Sequence, residues 1–376
     1  MKSVGIISEY NPFHSGHRYQ IEKARELSGA DCTIAVMSGN FVQRGDVSVF
    51  SKYERARCAV LGGADIVFEL PAYFSLKSAE GFAKGGIAML KALGADAVSF
   101  GAESDDLTLL KETAKILKEE KGDFKSVLKE ALKSGKSFAA ARSDALSSVF
   151  RDGAAAILKP NNILATEYLA AMNELEFTPE VIPVKRVGAE HDSDNATQYI
   201  ASASHIRKML SKKEDISQFV PTLPDGDAVY LKDFEKLLLY SVITACEGEK
   251  ITGAGDGLWQ RILSAPKESL DSLLAHAKTK RFALSRIKRF LINLMLHNTL
   301  PDNLSPTYLR ILALNQRGAA FIKENAKNFT LPIILKPAAI PQSDPIFMLE
   351  RRASAIRALI CKDTKDDTLM SPLFIK

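Results

Sequence analysis

A chain of 376 residues, 46% hydrophobic and 25% charged, excludes a disordered, fibrous or small disulfide-stapled protein and leaves room for a principal domain with a second attached. Fifty Lys and Arg against 45 Asp and Glu give +5 at pH 7, which is compatible with a polyanionic partner but too mild to establish one. The cysteines Cys32, Cys58, Cys246 and Cys361 are widely spaced and form no Cys-x-x-Cys pair, against a zinc knuckle or secreted disulfide framework and for a reducing cytoplasm. The amino-terminal apolar run is too short for a signal peptide, and no run reaches the roughly 18 residues needed to cross a bilayer. A soluble cytoplasmic protein with no membrane partner is expected.

In chain order, residues 4–8 read as a short buried strand, 10–16 as a loop rich in Asn, Pro and Gly, and 17–27 as a helix. Residues 32–37 form a second strand, 52–61 a helix, 64–70 a third strand, 78–93 a helix and 97–100 a fourth strand that leads into a Gly-bearing loop at 101–104. Alternating apolar strands and helices predict a mainly parallel sheet covered on both faces. Residues 107–146, rich in helix formers with a break near 133–136, look like a helical insertion. A further strand is expected over 180–187 and a helix over 201–210. Beyond about 211 the β alternation fades, and 231–245, 258–262, 269–274, 281–297 and 307–313 are successive helical candidates. The expected organisation is an α/β domain over 1–210, with its insertion around 105–165, followed by a mainly helical domain over 211–376.

The sharpest chemical feature is Asn11-Pro12-Phe13-His14-Ser15-Gly16-His17, directly after the first strand. Two imidazoles three residues apart can face one bound group if the second begins a helix, whose free N–H groups also favour phosphate. Gly16 permits close approach of that phosphate to the backbone. The spacing is neither GxxxxGK[ST] nor GxGxxG. An ordinary turn with surface histidines is the weaker alternative, because strand, Pro/Gly loop, paired histidines and helix arrive together.

This segment resembles the HxGH nucleotidyltransferase superfamily, in which paired histidines hold nucleotide phosphates while the α-phosphate is attacked. Ser202-Ala203-Ser204-His205-Ile206-Arg207 is similar to that superfamily's late ISSTxxR-type motif, with Ala203 in place of the usual second serine. A wider set of strings in order, SGNFVQRG at 38–45, KYERAR at 52–57, FELP at 68–71, FGAES at 100–104, PNNILATEY at 160–168 and the Arg186/His191 region, resembles the bacterial tRNA(Met) cytidine acetate ligase family. The resemblance is strong over the first 210 or so residues and weaker beyond. It implies a Rossmann-like nucleotidyltransferase domain that uses ATP to activate acetate as acetyl-adenylate. The acetyl group then goes to N4 of the wobble cytidine of elongator tRNA(Met). Mg²⁺ is expected to come bound to the ATP phosphates, with no protein metal cage.

The resemblance further implies residue roles. His14, His17 and Arg207 are the catalytic candidates, stabilising charge at the α-phosphorus. The nucleotide is expected along Ile7, Ser8, Glu9, Tyr10, Asn11, Pro12, Phe13, Ser15 and Gly16, with Gln20, Gly101, Asn162, Arg186, Ser202 and Ser204. Asn161 is the alternative to Asn162, as a cap of the following turn. Lys2 reads equally as a phosphate ligand or a solvated terminal lysine.

Asn40, Gln43 and Arg44 follow the second strand on the same predicted edge and are candidates to position acetate, pyrophosphate or the incoming cytosine. Glu69 is expected either to orient a group in the site or to sit in a buried salt bridge, and His191 to stand on the site's wall. Lys278, Lys280, Arg281, Arg286, Lys288 and Arg289, interleaved with Phe282 and Phe290, form a basic helix suited to an RNA backbone, which Arg310 and Arg317 would extend. A solvated amphipathic helix is the bland alternative. His276 and His297 read as surface or core-edge histidines. The competing functions are a small-metabolite adenylyltransferase and a noncatalytic, nucleotide-regulated RNA-binding protein.

Overall fold

The computed structural model describes residues 1–103, 107–150, 157–186, 200–361 and 367–376; His191 therefore lies outside the described residues. The first half runs β1 (Ser3–Ser8), α1 (Ser15–Ser28), β2 (Cys32–Ser38), β3 (Phe41–Val42), β4 (Asp46–Val47), α2 (Lys52–Leu61), β5 (Ile66–Leu70), α3 (Ala72–Ser75), α4 (Ala79–Ala92) and β6 (Ala97–Ala102). Three helices follow, α5 (Leu107–Glu119), α6 (Gly122–Lys133) and α7 (Phe138–Phe150), then α8 (Pro160–Glu174), β7 (Glu180–Lys185) and α9 (Ala203–Ser211). The remainder is α10 (Glu235–Thr244), α11 (Leu258–Leu263), α12 (Leu270–Ala277), α13 (Leu284–Met295), β8 (Leu309–Leu314), α14 (Gln316–Asn325), β9 (Ile333–Ile334), α15 (Pro345–Ile360) and β10 (Leu373–Phe374).

The main sheet has the order β10-β8-β5-β2-β1-β6-β7, with β9 beside β8. Strands β5, β2, β1, β6 and β7 are all parallel, as the alternating pattern predicts. Their side chains alternate between two apolar clusters. Ile7, Ile34, Val36, Ile66 and Phe68 join one, with α4 and α8 over it. Val4, Ile6, Ala35, Met37 and Val67 join the other, under α1 and α2. Because both faces are covered, the strands read as nearly continuous apolar runs.

Residues 307–313, expected to be helical, are instead mostly strand β8. The run Tyr308 to Leu314 is apolar on both sides of Arg310, a pattern that short buried strands and buried helices share. The antiparallel partner β5, some 240 residues earlier, decides between them. The expected boundary at 210 is crossed by the same return, since β8, β9 and β10 complete a sheet begun by β1. The first apolar cluster also runs without a break from Phe68 and Leu90 to Leu238, Ile287 and Phe290. The helices between 231 and 295 therefore pack onto the α/β body rather than forming a body of their own. The inserted helices α6 and α7 enclose a separate small cluster built on Phe124, Leu128, Ala145 and Leu146.

Gly45, in the turn of the β3–β4 hairpin, fixes how α13 meets the sheet. Its φ is +72°, and a Cβ there would lie 2.6 Å from the Arg289 backbone nitrogen and 2.8 Å from the Ser285 carbonyl oxygen. Only glycine satisfies both the turn and the contact.

Candidate active site

Strand order reverses at β1: the chain builds outward through β2 and β5 on one side and through β6 and β7 on the other. In open α/β sheets the crevice at the carboxyl ends of such strands is where ligands bind. The loop after β1 carries the two histidines to that point.

His14 is the N-cap of α1, and its Nδ1 accepts the Gly16 N–H at 3.1 Å. His17, at the third helical position, accepts the His14 backbone N–H on its own Nδ1 at 3.3 Å. The two imidazoles thus play the parts of serine and glutamate in a reciprocal capping box. Their rings stack with centroids 3.7 Å apart, and the Tyr10 ring packs edge-on against His17 at 4.8 Å. With each Nδ1 used as an acceptor, each neutral ring carries its proton on Nε2. Burial, then the charges of Arg186 and Arg207, lowers the His14 pKa to about 3. Burial, then His14, holds His17 well below its ordinary value. Both are neutral hydrogen-bond donors near pH 7, suited to phosphate oxygens and not to proton transfer.

Three elements brace this loop. Asn11 spans to the hairpin, its Oδ1 accepting from Val49 N–H at 2.8 Å. Ser15 Oγ donates to the Phe219 carbonyl at 2.9 Å. Arg207, the fifth residue of α9, donates from Nη1 to the Asn11 carbonyl at 2.7 Å, which fastens the late motif to the early one. Ser202 caps that helix by accepting the His205 N–H at 3.1 Å, while Ser204 sits partly exposed in its first turn. Ile7 is buried in β1, Ser8 and Glu9 are partly exposed at its end, and Gln20 lies partly exposed on α1 three residues after His17.

At the ends of β6 and β7, Gly101 lies within β6 rather than after it, paired with Val184. The nearest group to a Cβ at Gly101 would be Arg186 Cγ at 3.8 Å, so the edge is left open there. Asn162 is buried and accepts the Glu103 N–H at 2.8 Å; it holds the strand end instead of facing outward. Asn161 is not a cap, since Lys159 is the N-cap of α8. It donates to Glu103 Oε1 at 2.6 Å and accepts from Arg186 at 3.4 Å. Burial lowers the pKa of Arg186, Glu103 opposes that, and nearby Arg44 adds to it.

Other candidates are engaged with protein partners. Asn40 is fully buried and donates to Asp367 Oδ2 at 2.8 Å and Ser354 Oγ at 3.3 Å. Glu69 is in a buried salt bridge, with Lys52 at 2.6 Å and Arg310 at 3.0 Å. Arg310 accordingly adds nothing to a basic surface, having been drawn into the sheet by Glu69. Arg317 points to Asp65 at 3.7 Å. Lys2 donates to the Ser28 carbonyl at 2.6 Å and to Glu180 at 3.1 Å, at the amino end of the sheet and so opposite the site. On the hairpin, Gln43 N–H donates to Glu9 Oε1 at 2.8 Å, and the Gln43 carbonyl accepts from Arg289 Nη1 at 2.9 Å.

Arg289 is therefore a brace between α13 and the hairpin; burial, then Arg286, lowers its pKa to about 10. Arg286 pairs with Asp256 at 2.9 Å and Arg281 lies 3.9 Å from the same carboxylate. Lys280 is exposed and Lys288 partly so.

Two positioning residues carry no spacing signal. Arg55, fully buried on α2, donates to the carbonyls of Glu9 at 2.6 Å, Ser38 at 2.9 Å and Gly39. It gathers the ends of β1 and β2. Glu103 is the other, reached only because β6 and α8 bring it to Asn161. Among the described residues no group of three or more His, Cys, Asp or Glu is placed to hold a metal ion, and no helix is long and apolar enough to cross a membrane.

The geometry is that of a nucleotidyltransferase, and the comparisons agree. Residues 1–370 match the family described as HIGH Nucleotidyl Transferase. The tRNA(Met) cytidine acetate ligase of Caldicellulosiruptor bescii is 36% identical over 100% of this chain and 99% of its own. That of Caldicellulosiruptor saccharolyticus is 37% identical over 96% and 95%. Among solved structures, apo Thermotoga maritima TmcAL superposes with a TM-score of 0.90 at 31% identity, and its α-thio ATP complex with 0.88 at 30%, each covering all of both chains. The chain belongs to the tRNA(Met) cytidine acetate ligase family of the HIGH nucleotidyltransferases.

Proposed function

We propose that this protein uses ATP and acetate to form N4-acetylcytidine at the wobble position of elongator tRNA(Met). The observation that carries the reading is the stacked, neutral histidine pair at the switch point of a chain matched end to end by relatives of that name. An acetate oxygen attacks the α-phosphorus of ATP, pyrophosphate leaves, and acetyl-adenylate is formed. The cytosine N4 then attacks the acetyl carbon, the C–O bond to AMP breaks, and the nitrogen loses a proton.

His14 and His17 donate Nε2–H to phosphate oxygens as charge gathers there, and neither needs to take a proton because acetate is already anionic. Arg207 and Arg186, on opposite flanks, supply fixed positive charge. Ser202 and Ser204 line the first turn of α9, where helix N–H groups favour phosphate. Magnesium would enter with the phosphates, held by their oxygens and few protein ligands. Lys280 and Lys288, at the head of α13, are suited to the tRNA backbone. The cytoplasm is the compartment where ATP and tRNA meet.

The test is incorporation of labelled acetate into unmodified elongator tRNA(Met), with and without ATP, followed by nucleoside analysis. ATP-dependent label on N4 of the wobble cytidine is the expected result. No label, with folded protein and competent tRNA verified, overturns the reading.

A further inference from the structure

Between the inserted helices and the head of α13 lies a cleft of about 750 Å³ that neither the histidine site nor the sheet explains. One wall is the start of α7, with Phe138 and Arg142; the other carries Arg281, Arg286 and Arg289. Phe138 is half exposed, a large aromatic left open to solvent at the rim of a charged cleft. The carboxylates lining the cleft are already matched by cations beside them: Glu167 by Arg142, Glu80 by Lys84 at 3.0 Å and Asp302 by Lys77 at 3.5 Å. On the facing wall Arg281 and Arg286 share one carboxylate, Asp256, at 3.9 and 2.9 Å, and Arg289 is bonded to a backbone carbonyl rather than an acid, so this wall carries more cations than acids. Gln43 also lines the cleft, and its backbone N–H bonds Glu9 after β1, which links the cleft to the histidine loop through one residue.

We infer that this cleft receives an unpaired RNA loop, with one extruded base stacked on Phe138 and the adjoining phosphates facing Arg281 and Arg286. A volume of this size is that of a small-molecule pocket, too confined for a duplex but fitted to one or two splayed nucleotides. An aromatic ring opposite arginines is the pairing that takes single-stranded RNA: the ring stacks the base and the guanidiniums hold the backbone. The inference rests on the proposed RNA substrate and adds to it. The helical insertion, not only the C-terminal helices, makes the substrate surface.

The experiment compares full-length wild type with Phe138→Ala, Phe138→Leu and Phe138→Trp. Affinity for unmodified elongator tRNA(Met) is measured by filter binding, and acetate-dependent ATP/pyrophosphate exchange without RNA is measured in parallel. Phe138→Ala is expected to weaken tRNA binding about tenfold, the lower part of the range for a lost base stack, with exchange unchanged. Trp should restore affinity and Leu should not. Unchanged affinity in Phe138→Ala overturns the inference, as does rescue by Leu equal to that by Trp, which would mark a packing role. Slower exchange in Phe138→Ala also overturns it and makes the cleft a small-substrate pocket. If wild type transfers no acetate yet loses tRNA affinity through Phe138, the cleft stands and the ligase reading falls.

Discussion

Two charged regions share the carboxyl edge of the sheet and are built on opposite principles. At the ends of β1 and β6 the protein sets the cations Arg186 and Arg207 beside two neutral histidines and ties them to neutral acceptors, Arg186 to the Asn161 amide and Arg207 to the Asn11 carbonyl. At the ends of β2 and β5 it balances the charge itself. Lys52 is fully buried and meets Glu69 at 2.6 Å, Glu350 at 2.9 Å and Asp367 at 3.0 Å, while Arg310 takes the other Glu69 oxygen at 3.0 Å. Burial, then the Glu69 charge, raises the Glu350 pKa above the usual carboxylate range, whereas Lys52 and Arg310 outweigh burial to lower that of Glu69. This cluster ties α15 and the chain end to strands laid down 300 residues earlier. Ionisable residues at a strand's end can therefore be spent entirely on the fold.

The largest effect expected from breaking this contrast is in the closed cluster. Lys52→Met leaves three buried carboxylates short of their cation and should cost about 3–5 kcal/mol, read as a fall in the urea midpoint. A variant of unchanged stability that loses exchange would move Lys52 into the site. Next, His14→Ala and His17→Ala should each lower acetate-dependent exchange about 10²- to 10³-fold. The cost in stability should be near 1 kcal/mol, that of a lost helix cap. Equal losses of exchange and folding would make the pair structural. Gly45→Ala, forced against the α13 backbone at positive φ, should cost about 1–3 kcal/mol and weaken tRNA binding along with stability.

His14 and Glu350 should answer pH with opposite signs, and Glu69, whose pKa is lowered, with the same sign as His14. His14, with a folded pKa of about 3 against 6.5 unfolded, stays neutral in the native state while the unfolded chain takes the proton. Its contribution is complete above about pH 6.5 and is lost as pH falls toward 3. Glu350, raised, stabilises the fold while protonated, and that contribution fades as pH rises past the ordinary carboxylate range. Imidazole NMR without nucleotide should show no His14 titration between pH 5 and 8; a midpoint near 6.5 would refute the buried, neutral assignment. The smallest effect belongs to the rim. Lys280→Ala with Lys288→Ala should reduce the salt dependence of tRNA affinity by a slope of about two while leaving exchange intact.

Much of the site was legible because it is local. His14, Gly16 and His17 fall within four residues, and the strand, loop and helix around them are set by short-range pattern. Ser202 and Arg207 were legible for the same reason, as the cap and the fifth residue of one helix. Asn40, Glu69 and Arg310 were misleading or undecided, because a polar residue at a strand end carries the same letter whether it meets a ligand or a buried partner. Arg55 and Glu103 fall inside strings that carry the family resemblance, but their roles had no local sign: their partners are carbonyls and amides brought close only by the fold.

The sequence by itself determined the alternating strands and helices of the first half, the histidine-bearing loop after β1 and the family to which the chain belongs. These depend on interactions spanning a few residues, which periodicity and turn chemistry encode directly. Tertiary structure alone decided that 309–314 is a strand, that Lys52 meets Glu350 and that α13 braces the active-site hairpin through Gly45. Each of those depends on a partner some 240 to 300 residues away, whose distance in space is fixed by the packing of the whole sheet and not by any neighbour in the chain.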